Sequence, residues 1–99
     1  MVHCVPINVA TAGVHKLVEA VAGKKIRVLH YAAIGGGVVS ITWQGNDNTL
    51  TGPMPLINGS GIATGLPAGV LCTGLNESLQ LKLSDAVQVS GHLVYQLES

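Results

Sequence analysis

Histidine, cysteine and carboxylate are the side chains through which a small chain could hold a metal, attack a substrate or move a proton. This sequence has four histidines, two cysteines and five carboxylates in 99 residues. A zinc site draws its ligands in close pairs, such as C-x-x-C or H-x-x-x-H. Only His3 and Cys4 lie close together, and adjacent residues of a strand point to opposite faces. A metal on the symmetry axis of an oligomer needs one histidine per subunit. His92 is the best single candidate for that, and its simpler role is a hydrogen-bonded surface or interface residue. Cys72 has no histidine nearby in sequence to activate it as a nucleophile. The carboxylates Glu19, Asp47, Glu77, Asp85 and Glu98 are not spaced as an acid–base couple, which leaves them solvated or capping turns. The run Gly59–Gly65 lacks the Gly-Lys-[Ser/Thr] ending of a phosphate loop. Asn46-Asp47-Asn48 has too few carboxylates for a calcium loop. No catalytic residue, cofactor or metal is therefore expected, and the chain is not expected to be an enzyme.

Partners are bounded by charge. Only 10% of residues are charged while 47% are apolar, against roughly a quarter charged in an ordinary soluble domain. The formal net charge is zero, which argues against nucleic acid, whose phosphates call for clustered Lys and Arg. The nearest basic patch is Lys24, Lys25 and Arg27, expected as a solvated hairpin tip. Trp43, Tyr31 and Tyr95 are too few and scattered to form a stacking platform for bases or sugars, and Trp43 is expected as a core anchor. No apolar run approaches the length of a membrane span, and the N-terminus lacks the basic start and apolar core of a signal peptide. Cys4 and Cys72 do not make a disulfide framework and are expected as free thiols. A neutral, glycine-rich surface keeps a subunit poorly apart from its neighbours. It suits a protein covered by copies of itself or by a larger assembly.

The elements that must position these residues are strands. In Ser78–Ser84, Leu79, Leu81 and Leu83 alternate with polar residues, and Val87, Val89, Leu93, Tyr95 and Leu97 continue a similar pattern. Period two marks strands with one buried face, and the two runs are expected to form an antiparallel hairpin. Gly91 falls mid-strand, where glycine marks a bulge or a close backbone approach. Ile26–Ile34 and Val38–Trp43 are two more strands, joined by Gly35-Gly36-Gly37 as a turn. Val14–Val21 fits either a helical face or a strand, and its valines favour strand. Thr49–Thr51 is short and extended. Val2–Val9 is an N-terminal strand placed at an edge, because Pro6 lacks an N–H. Residues 52–74 form a long excursion with short strands near Ile62–Leu66 and Val70–Cys72, the crossing connection that Greek-key and jelly-roll sandwiches require. The expected fold is all-β: a single-domain antiparallel β-sandwich over residues 1–99, with residues 1–12 as an N-terminal arm or an edge strand.

Gly23–Tyr31, Val38–Trp43, the Leu50–Leu56 segment with its Gly-Pro-Met-Pro, Gly59–Ile62, Glu77–Leu81 and Val89–Tyr95 with its Ser-Gly-His-Leu-Val-Tyr together resemble small β-rich virion proteins of tailed bacteriophages. The resemblance runs over roughly residues 16–97 and fails in the first dozen residues and around Cys72. It implies a capsid decoration, or cement, protein: a homotrimer seated on the major capsid protein at the outer surface of a phage head, made in the host cytoplasm. The alternative is a fibre or tail-tip module that binds a host-surface molecule. Val2, His3, Val5, Ile7, Val9 and His92 are the candidate capsid or inter-subunit contacts, since an apolar strand at the chain's start can add to a neighbour's sheet edge.

Overall fold

The computed structural model describes residues 2–46, 48–65 and 69–98. It contains nine strands: β1 (Val2–Val9), β2 (Gly13–Val18), β3 (Lys25–Gly35), β4 (Val39–Gln44), β5 (Met54–Leu56), β6 (Gly61–Gly65), β7 (Leu71–Cys72), β8 (Leu79–Leu83) and β9 (Val89–Glu98). Two antiparallel sheets form, ordered β1-β9-β3-β6 and β2-β8-β4-β5, with β7 paired to β3 beside β6. This order, in which the chain crosses repeatedly from one sheet to the other, is that of a jelly roll.

The expected hairpin near the C-terminal end, and the tight turn expected at Gly35-Gly36-Gly37, are corrected. β3 and β4 lie in different sheets, as do β8 and β9. Gly35-Gly36-Gly37 and Ser84–Gln88 are arches across the sandwich, tied together by the Gly36 N–H donating to the Gln88 carbonyl at 2.7 Å. The reason is that alternation specifies which face of a strand is buried, and it is silent on which strand lies alongside. Among the described residues only β4 and β5 pair as chain neighbours. Lys24 and Lys25 are likewise not at a hairpin tip, because β2 and β3 belong to opposite sheets.

The inward faces follow the period-two pattern. Val39, Ile41 and Trp43 of β4 and Leu79, Leu81 and Leu83 of β8 are buried against Ile26, Val28, Tyr31 and Ala33 of β3 and Val89 and Leu93 of β9. Trp43 is fully buried as the core anchor, its ring 5.0 Å from that of Tyr31 across the sandwich. In β3 the inward parity changes from even to odd between Val28 and His30, where the pairing with β9 shifts register. That one-residue bulge turns Tyr31 and Ala33 inward and sends His30 and Ile34 out.

β1 lies at the edge of its sheet, in register with β9 from Val2↔Gln96 to Val9↔Val89. Val14–Val21 resolves as a strand that ends at Val18. The Ile62–Leu66 strand is observed one residue earlier as β6, with Leu66 outside the described residues, and Val70–Cys72 is observed as β7. Thr49–Thr51 contributes one isolated bridge, Gln44↔Thr49, while Met54–Leu56 forms a strand that Pro53 before it and Pro55 within it concealed. Asp47 also lies outside the described residues.

Candidate functional site

The candidate contact residues fall on different surfaces. In β1 the side chains at 3, 5, 7 and 9 turn toward the sandwich interior while Val2, Cys4, Pro6 and Asn8 are exposed. Ile7 is 2% exposed and part of the core, and Val5 and Val9 pack against that core. Their apolar area is thus already spent on the chain's own fold, and Val2 is the only apolar member of the group that is free. His3 stacks on Tyr95 with ring centroids 5.0 Å apart.

His92 is exposed on the outer face of the β1-β9-β3-β6 sheet. Its ring stacks on that of His30, at 5.2 Å and 19° between planes. This pair is not legible in the sequence, because it depends on the bulge that turns His30 outward and on β3 lying beside β9. Cys4 is exposed on the same face and Cys72 is half-buried, both as free thiols. Among the described residues no group of three His, Cys, Asp or Glu side chains could hold a metal ion.

Charge on this sheet gathers at one end. The Arg27 Nε–H donates to Glu98 Oε2 at 2.8 Å, joining β3 to the end of β9, and Gln96 Nε2 donates to the same oxygen at 3.0 Å. The Arg27 hydrogen bond, with that of Gln96, holds the Glu98 carboxyl below its ordinary range. The same bond holds the Arg27 guanidinium above its ordinary value. Unfolded, a glutamate titrates near 4.3, so the pair's contribution is present above that value and is lost as pH falls through the lower folded-state value. Glu98→Gln is therefore expected to lower the melting temperature more at pH 7 than at pH 3, measured by thermal denaturation at both. An equal loss at the two values would show that the pair's charge adds nothing.

The opposite sheet carries a groove of about 400 Å³ on its outer face. Its floor is Ser40, Thr42 and Gln44 of β4 with Lys82 and Ser84 from β8 and its end, and its rim is Thr49, Thr51, Gly52 and Pro53. Gln44 Nε2 donates to Gln80 Oε1 at 3.0 Å beside it. Hydroxyls and amides both donate and accept, so the groove can hydrogen-bond a neutral polar ligand. Among the described residues its lining holds no carboxylate, imidazole or aromatic ring, and its one charged group is Lys82. Each strand's polar face was legible in sequence, but the groove exists only because β4 and β8 are neighbours.

A second surface is defined by what it lacks. Residues 28–76 contain a single charged residue, Asp47. They include β3 from Val28 onward together with β4, β5, β6 and β7, so one flank of the sandwich, where β5 and β6 end their sheets, is almost free of charge. Exposed aliphatics collect at one corner of that flank: Ile34 at 53%, Val38 at 72% and Ile57 at 64%. Continuing the Val39↔Leu56 register places Val38 opposite Ile57.

Fold and surface together define a small jelly-roll module with a flank that carries little charge and a polar groove on the opposite sheet. No protein-family model matches the chain, and no curated protein matches it.

Proposed function

We propose that this protein is a structural component of a virion: a capsid decoration subunit that sits as a homotrimer on the outer surface of a phage head and stabilises it. The observation that carries this reading is the neutral flank, with one charged residue in the 28–76 stretch and aliphatics left exposed at its corner. A subunit that lives in an assembly gains from such a surface, because nothing on it repels a neighbour and its apolar area is removed from water on docking. The jelly roll is consistent with this role, since it recurs in viral capsid proteins, though also in lectins and cupins, and a fold by itself assigns no function. The sequence resemblance to small virion proteins of tailed phages adds the location and the copy number.

The test is addition of the purified protein to phage shells that lack it, imaged by electron microscopy. Three-fold density on the outer shell is expected. Occupancy is expected to change little between 0.1 M and 1 M salt, because screening, whose length falls from about 10 Å to 3 Å over that range, acts on charges this surface does not have. Bare shells, or shells stripped by salt, would overturn the proposal. The polar groove favours a second reading, a fibre or tail-tip module that binds a host-surface molecule. Density at the tail tip with an undecorated shell would select it.

A further inference from the structure

A strand at the edge of a sheet presents a row of unpaired N–H and C=O groups, and proteins blunt such edges with proline, lysine, bulges or very short strands. Among the described residues the sheets have four edges: β1 on one side and β6, continued by the two-residue β7, on the other bound one sheet, and β2 and β5 bound the other. Three are blunted. β1 carries Pro6 at its middle. β2 carries exposed Lys16 and a register shift between Lys16 and Val18. β5 is three residues long with Pro55 at its centre. β6, with the sequence GIATG, has no proline, no charge and an unbroken register with β3 from Ile34↔Gly61 to His30↔Gly65. Among the described residues no strand pairs with its far side.

The surroundings of β6 suit a close neighbour. Its exposed positions are Gly61, Ala63 and Gly65. A Cβ at Gly61 would stand 2.7 Å from the Ala33 carbonyl oxygen and one at Gly65 2.6 Å from the His30 ring, so packing inside the subunit itself keeps this face small. Exposed Ile34 and Ile57 flank its start. No Asp, Glu, Lys or Arg occurs between residues 48 and 76.

We infer that the β6 edge is a docking site for a second copy of this chain, which adds its own β6 antiparallel and continues the sheet across a two-fold axis. Two features select a copy over a foreign strand. The surface is uncharged, so it meets itself without repulsion. The exposed positions also read the same in both directions about Ala63. An antiparallel partner therefore sets Ala63 against Ala63 and Gly61 against Gly65, with no bulk between the strands. Backbone hydrogen bonds would supply the contact, and Ile34, Val38 and Ile57 would lose water at its margin. A two-fold contact is additional to any three-fold one, and it links copies in even numbers.

The test is analytical ultracentrifugation of the full chain at tens of micromolar, with amide hydrogen exchange on the same samples. A dimer or hexamer is expected. Ala63→Lys, which adds a charge at an exposed position, is expected to halve the mass of that species to a monomer or trimer and to speed exchange of β6 amides by about tenfold or more. Its circular dichroism is expected to be that of the wild type. Should Ala63→Lys fail to fold, Ile57→Lys, which lies outside any strand, is expected to weaken the pair in the same way. A wild-type monomer or trimer with freely exchanging β6 amides, or an Ala63→Lys protein still paired, would overturn the inference. Protection of β6 that arises only on phage shells would assign the edge to a capsid strand instead and would equally overturn it. The inference stands apart from the decoration reading: an unpaired protein that still coats shells sinks the first and supports the second.

Discussion

Removal of residues 1–9 is expected to leave a chain that does not fold, rather than a trimmed subunit lacking only its arm. β1 is in register with β9 along its whole length. Its Ile7 is 2% exposed within the core, and Val5 and Val9 pack on the same cluster. Loss of one buried isoleucine to alanine costs about 2–5 kcal/mol, and the whole strand adds further apolar burial and the ladder with β9. A domain of this size is stable by only about 5–15 kcal/mol in total, so the deletion removes much or all of it. Circular dichroism and amide proton dispersion of the truncated chain measure the outcome, and a truncated protein with native strand content and a near-native melting temperature would refute it. Docking through the N-terminal strand is consequently better probed at Val2 or Cys4, which are exposed, than by truncation.

Gly91→Ala is expected to be nearly as damaging, although it adds a single methyl group. Gly91 sits in β9 between Ile7 of β1 and Ala33 of β3. A Cβ there would land on the carbonyl oxygen and carbon of Ala32, atoms of the β3 backbone that have no rotamer to escape into. The methyl can enter only if β9 and β3 part, and their pairing runs from Lys25↔Glu98 to Gly35↔Val89. Overpacking into a well-packed site typically costs 1–3 kcal/mol, and here the obstacle is backbone, so about 3 kcal/mol or more is expected. Urea denaturation of Gly91→Ala beside Gly52→Ala checks it, because a Cβ at Gly52 would meet nothing within 4 Å. Equal midpoints for the two variants would show that the close approach relaxes freely.

What was legible in the sequence is what local chemistry decides. The leucines at 79, 81 and 83 could only be a strand with one buried face, and they are buried. Pro6 marked an edge, Gly91 a close backbone approach and Trp43 a core anchor, each from a property the residue carries wherever it is placed. Pairing was not legible. Leu83 meets Gly13 on one side and Ile41 on the other, and no property of the Leu79–Leu83 segment names those partners over Val89–Glu98, the next strand along the chain. The same gap hid every surface feature that needs two strands at once: the His30–His92 stack, the groove between β4 and β8, and the unblunted state of β6. The bulge at Leu29 was hidden too, since only Arg27 and His30 interrupt the apolar residues of Ile26–Ile34, and two polar residues three apart are too few to fix a change of phase.

The position of β9 decides how this protein can be made. β9 lies between β1 and β3, inside its sheet, although both of its neighbours precede it by more than 50 residues. A ribosome that has released residues 1–88 has therefore produced every other strand of that sheet, with an empty slot between β1 and β3. The sheet closes only once β9 has been made, and nearly every contact it must find joins segments far apart in sequence. Such topologies fold in the millisecond-to-second range. For that interval a chain with few charges waits with its apolar strands uncovered, and the rate at which copies are synthesised sets how many reach the folded state before they meet one another.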